Sequence, residues 1–104
     1  MSTSYSTNII IGYIGKDLID SGYSDEDTLY NLNEDNDLYF IDPRGAGDYE
    51  DGVIGFQIAW DFILDLNKVL EKSKDDIPKL IQELKEIFPN ISKEPKLYSV
   101  LGVH

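Results

Sequence analysis

Apolar residues recur along this chain with two different spacings, and the changes between them mark out its elements. Residues 7–14, TNIIIGYI, are rich in isoleucine and apolar at both alternating positions, the pattern of a strand covered on both faces. Residues 53–60, VIGFQIAW, alternate instead. Ile54, Phe56, Ile58 and Trp60 are expected on one face, with Val53, Gly55, Gln57 and Ala59 on the other. LYFID, residues 38–42, is compact and β-prone, and Pro43 removes a backbone donor and ends it, which predicts an edge strand. KLYSVLGV, residues 96–103, reads as a closing strand.

From Asp61 the period lengthens to that of a helix. Phe62, Leu66, Val69 and Leu70 share one helical face, and after a break Ile77, Leu80, Ile81, Leu84 and Phe88 repeat the pattern. Pro78 suits the first turn of the second helix, with Asp75 or Asp76 as its cap, and this helix should end before Pro89. Nearer the N-terminus, Ser24 with Asp27 three positions on resembles a capping box and predicts a short helix over residues 25–31. The order is then strand, helix, strand, strand, helix pair, strand. It predicts one α+β domain over residues 1–104: a four-stranded antiparallel sheet with helices on one face, in the split βαβ (ferredoxin-like) βαββαβ order, with the first and third strands central.

Charge changes this picture most. The 104-residue chain has a formal net charge of −11, and the excess is regional. Residues 17–65 hold 14 acidic side chains against the single base Arg44, a balance of −13, whereas residues 66–104 hold seven lysines against six acids. A surface so one-signed repels itself and exceeds what solubility requires, so a cationic partner is expected to meet it. Nucleic acid and anionic membranes are poor direct partners, because both are held through lysine and arginine.

Other classes fall away on composition. There is no cysteine, which removes disulfides, thiolate nucleophiles and thiolate metal sites together. The sole histidine, His104, ends the chain, a poor position for a general base, so neither Ser-His nor Cys-His catalysis is expected. The opening residues lack the cationic and apolar stretches of a secretory signal, and no apolar run approaches the roughly 20 residues of a bilayer span. A soluble cytoplasmic protein is expected. Gly12, Gly15 and Lys16 follow a strand, yet they lack the glycine spacing and the hydroxyl of a phosphate-binding loop, and Gly15 reads as permitting a turn. Paired carboxylates cleave glycosides only in deep aromatic clefts, which a chain this short is not expected to build.

Asn31, Asn33, Asp35, Asp37 and Asp42 match positions 1, 3, 5, 7 and 12 of a calcium loop. Against that register, Asn36 replaces the turn glycine, Asp42 replaces the bidentate glutamate and Pro43 opposes an exiting helix. A calcium or magnesium module is therefore an alternative, and no cofactor is expected.

The leading expectation is a non-enzymatic inhibitor that blocks a basic, nucleic-acid-binding protein surface, as phage anti-defence proteins and other DNA mimics do. Its candidate contacts are Asp35, Asp37, Tyr39, Arg44, Asp48, Tyr49, Glu50 and Asp51. Carboxylates set association rate and partner choice, and Tyr and Arg supply anchoring. Arg44 and Tyr49 lie in the 42–52 connection, long for a hairpin. Tyr39 or Phe40 is as readily a core residue of the edge strand as a contact. An immunity protein that neutralises a toxin nuclease is an alternative of the same physics. The edge strand at 38–42 offers a pairing edge to a second copy that flanking charge opposes, so the oligomeric state is left open.

Overall fold

β1 (Tyr5–Ile14) takes the centre of the sheet because both of its faces carry residues that must be covered. It pairs antiparallel with β3 (Val53–Asp61) on one side and with β4 (Lys96–Val103) on the other, and β2 (Tyr39–Ile41) forms the edge beyond β3. The order β2-β3-β1-β4 puts the two most apolar predicted strands in the middle. Helices α1 (Gly15–Asp20), α2 (Glu26–Asp35), α3 (Leu66–Ser73) and α4 (Ile77–Ile87), with a 3-10 turn at Tyr49–Asp51, fill the connections. This is a computed structural model, and it describes residues 5–23, 26–42 and 49–103. Its radius of gyration, 13.7 Å, is close to the roughly 13 Å of a compact domain of this length, so the chain forms one α+β domain. No helix among the described residues is long and apolar enough to cross a membrane.

Directly opposed residues on neighbouring strands point to the same side, so the register assigns the faces. Ile11 opposes Phe56 and Tyr13 opposes Ile54 on the helix side, where Leu18 of α1, Leu29 of α2, Leu84 of α4 and the following Phe88 close over them. On the other side Ile10, Val53 and Val100 form a second, smaller cluster flanked by Ile41 and Tyr98. Beside it sits a buried amide whose needs are met locally. Asn8 Nδ2 donates to Ser6 Oγ and to the Val100 carbonyl, both at 3.3 Å, while its Oδ1 accepts from Gln57 Nε2 at 2.8 Å.

Several details depart from the expected pattern. Ile10 opposes Gln57 but Ile9 opposes Ala59, so Ile58 is an extra residue, a β-bulge. The bulge reverses the alternation beyond it. Trp60 opposes Asn8 on the far side of the sheet, instead of sharing a face with Ile54, Phe56 and Ile58. Gly15 opens a helix rather than a turn, its N–H donating to the Gly52 carbonyl at 2.8 Å, and the positive φ falls at Gly22, 101°. α2 runs on through Asp35, four residues past the predicted 25–31 end; Ser24, on which the capping box rests, lies outside the described residues, as does His104. Asp76 stands at the N-cap of α4 with Pro78 in the first turn, but its side chain makes no cap bond. The working cap is Asp65, which accepts from the N–H groups of Asn67 and Lys68 at the start of α3.

One core residue makes an immediate prediction. Tyr13 is 2% exposed and its hydroxyl has no hydrogen-bond partner among the described residues, while its ring meets Phe88 edge-on. Burial first, then the charge of Glu94, pushes its pKa above the ordinary 10.0. The unfolded chain therefore releases this proton at a lower pH than the folded one, so the contribution to stability is intact below about pH 10 and falls as pH rises above it. Tyr13→Phe is expected to leave stability at neutral pH unchanged or raise it by up to about 1 kcal/mol, and to flatten the alkaline decline. Urea unfolding at pH 7 and at alkaline pH checks both. A clear loss at pH 7 would show that the hydroxyl is satisfied after all.

Candidate partner-binding surface

The corner between α2 and β2 displays the first group of predicted contacts, and local backbone chemistry explains how. Leu38 N–H donates to the Asn33 carbonyl at 2.9 Å and Asn36 N–H to the Leu32 carbonyl at 3.2 Å, with Asp37 between them at φ 55°. This is a Schellman-type helix end, whose left-handed position usually holds glycine and tolerates aspartate. It leaves Asp35 and Asp37 exposed, next to a Tyr39 that is 50% exposed. Tyr39 opposes Gly55 and Phe40 opposes Ile54, so Tyr39 belongs to the surface and Phe40 to the core, where its ring packs over Gly52.

A hollow of about 220 Å³ opens at this corner, lined by Asn33, Glu34, Asp37, Leu38 and Tyr39. Asn33 is buried, and its Oδ1 receives no hydrogen bond among the described residues. Two carboxylates, the face of a phenol ring and an amide oxygen that receives no hydrogen bond among the described residues make a lining suited to a guanidinium or an ammonium group.

Glu50 and Asp51 lie elsewhere. Both are exposed on the 3-10 turn, which packs against α1 beyond the Ile41–Val53 end of β2. On α1, Asp20 is exposed and Asp17 accepts from Lys93 Nζ at 2.9 Å; that hydrogen bond and the Asp17 charge hold the Lys93 pKa up. Those of the predicted contacts that are described thus lie at the two ends of the three-residue β2. Arg44 and Asp48 lie outside the described residues, and of Tyr49 only the backbone is described.

The calcium register does not form a loop. Asn31, Asn33 and Asp35 lie in α2, where residues two apart point to nearly opposite sides, and Asn33 is turned inward. Among the described residues no three His, Cys, Asp or Glu side chains are grouped to hold a metal ion.

A second surface was not anticipated. Trp60 is 56%, Phe62 65% and Ile63 88% exposed, and Leu66 and Leu70 are exposed beside them, because α3 buries none of its residues. Asp61 and Asp65, both exposed, bracket this apolar turn, and Asp61 Oδ1 accepts from the Phe62 N–H at 2.7 Å. An open groove of about 500 Å³ separates α3 from β3, with Ile58, Ala59, Leu64 and Val69 in its lining. Alternation assigns Trp60 to the core and helical spacing assigns Phe62, Leu66 and Leu70 to a core-facing stripe, which is why these positions pass unnoticed. The available signal is Phe62-Ile63-Leu64, three consecutive apolar residues beside an aspartate at each end, which fits neither period.

No protein-family model, curated protein or solved structure matches this chain.

Proposed function

We propose that this protein is a stoichiometric, non-enzymatic inhibitor that covers a basic protein surface of the kind that holds DNA or RNA. The observation that carries this reading is the segregated charge, −13 over residues 17–65. Exposed Asp20, Glu34, Asp35, Asp37, Glu50, Asp51, Asp61 and Asp65 support it from the surface. In this mechanism the summed field steers the partner in and carboxylates stand in for phosphates. An arginine or lysine of the partner enters the hollow at Asn33, Glu34, Asp37 and Tyr39. Tyr39 and Trp60 lie on the same face of the sheet, and with Phe62 they supply the desolvated anchoring that charge alone does not. We read the fold as the split βαβ, ferredoxin-like arrangement, supported by the central β1 and β3, and the site of action as the cytoplasm, as for a phage anti-defence protein.

The test is capture of partners from host lysate, followed by competition between this protein and DNA for each purified partner. Binding is expected to compete with DNA and to weaken steeply between low and high salt. The combined variant Asp35→Asn, Asp37→Asn, Glu50→Gln, Asp51→Asn should lose about tenfold or more in affinity, mostly in association rate. Affinity indifferent to both salt and the four substitutions would end this reading.

A further inference from the structure

The two edges of the sheet are built differently. β2 is three residues long and flanked by Asp37 and Asp42, devices that keep an edge from pairing. β4 is eight residues long, KLYSVLGV, and Lys96 at its start is its one charge. Among the described residues it has a hydrogen-bonded neighbour on one side only, and Leu97 and Leu101, on the helix side of the sheet, are 40% and 48% exposed.

We infer that this edge is the interface with a second copy of the chain, the two β4 strands pairing antiparallel about a two-fold axis through Ser99. Two identical antiparallel strands pair only in registers that oppose residues of the same parity, because hydrogen-bonding groups point outward at every second residue. The register centred on Ser99 opposes Leu97 to Leu101 of the second copy, and Leu101 to its Leu97. On the opposite face it sets Tyr98 against Val100. Lys96 falls opposite Gly102, so the lysines do not meet, and Pro95, which has no donor, ends the ladder. Registers centred on Tyr98 or Val100 oppose Leu97 or Leu101 to Ser99 and lose the leucine pairs. The arrangement is isologous and closes as a dimer with one eight-stranded sheet.

Charge supports the same occupant. β4 is the edge farthest from β2 and its acidic flanks. In the dimer the two β2 strands stand seven strand spacings apart, about 34 Å, several times the Debye length of about 8 Å at physiological salt. Repulsion between the two β2 corners is thereby screened, and these corners stay free at both ends.

Sedimentation or size-exclusion with light scattering on the full chain is expected to report twice the 11.8 kDa chain mass at about 100 µM and physiological salt, within the range of a modest interface. Leu97→Glu with Leu101→Glu places like charges opposite each other twice and should raise the dissociation constant by about tenfold or more. Leu97→Lys with Leu101→Glu instead opposes unlike charges in this register alone, and should restore the dimer. Both pairs change exposed positions, and far-UV circular dichroism with a urea midpoint checks that each variant folds. A monomeric wild-type chain at about 100 µM, in the mass range of weak association, overturns the proposal outright. A dimer that the two glutamates leave intact, or that the lysine–glutamate pair fails to rescue, overturns this register.

Discussion

Phe88→Ala is expected to lower the unfolding free energy by about 3–5 kcal/mol, the range for removing a fully buried phenylalanine. Phe88 is completely buried just beyond α4, and its ring is the hinge of an aromatic stack. Tyr13 meets it edge-on at 5.9 Å and Tyr23 at 5.3 Å, geometries worth about 0.5–1.5 kcal/mol each beyond burial. Truncation opens a cavity among Tyr13, Leu84 and Leu29 that the sheet below cannot fill by moving. Since domains of this size are stable by only about 5–15 kcal/mol, the variant should sit near the edge of folding. Urea unfolding followed by circular dichroism measures it. A midpoint shift worth less than about 1 kcal/mol would mean that the site collapses, and that Phe88 is not a principal joint between helices and sheet.

Gly12→Ala is expected to cost at least about 3 kcal/mol, above the usual overpacking range because the obstruction is backbone. Gly12 and Gly55 oppose each other in the β1–β3 ladder, two pairs from its Ile14–Val53 end. A Cβ on Gly12 would run into the Ile54 carbonyl oxygen and lie 2.7 Å from the Gly55 Cα, and a Cβ on Gly55 would meet the Ile11 carbonyl oxygen in the same way. No side chain there can swing aside, so the two central strands must separate. Gly22→Ala provides the contrast: nothing lies within 4 Å of its Cβ, and only the positive φ is strained, at about 1–2 kcal/mol. If thermal unfolding ranks the two substitutions the other way, the close approach of the strands is not what demands glycine at position 12.

That pair of glycines shows the reach of a sequence reading. In sequence, Gly12 belongs to a failed phosphate-loop motif, whose spacing gives no reason to expect that chemistry. Its actual duty, admitting the backbone of Gly55, depends on a pairing 43 positions away. The candidate surface divides similarly. The exposure of Tyr39 rather than Phe40 follows from its pairing with Gly55, whereas Asp35 and Asp37 are legible because charge is a local property. Glu50 and Asp51 join the list for the same reason, yet they stand at the other end of β2. The exposure of Trp60 is concealed by one extra residue, Ile58, which no composition or period announces, and that of Phe62 by a helical spacing that α3 does not use to bury a face.

The sequence by itself determined the strands, the helix pair after β3, the central position of β1 and β3 and the concentration of negative charge. The elements and the charge follow from short-range periodicity and from counting, and the central pair from the order of the elements, none of which requires knowing what lies opposite in space. Only the tertiary structure decided which face Trp60 occupies, why two glycines must meet, and that Asn33 turns inward. Those are properties of register and of relative placement. They arise from contacts between residues far apart in the chain, where a shift of one position exchanges inside for outside.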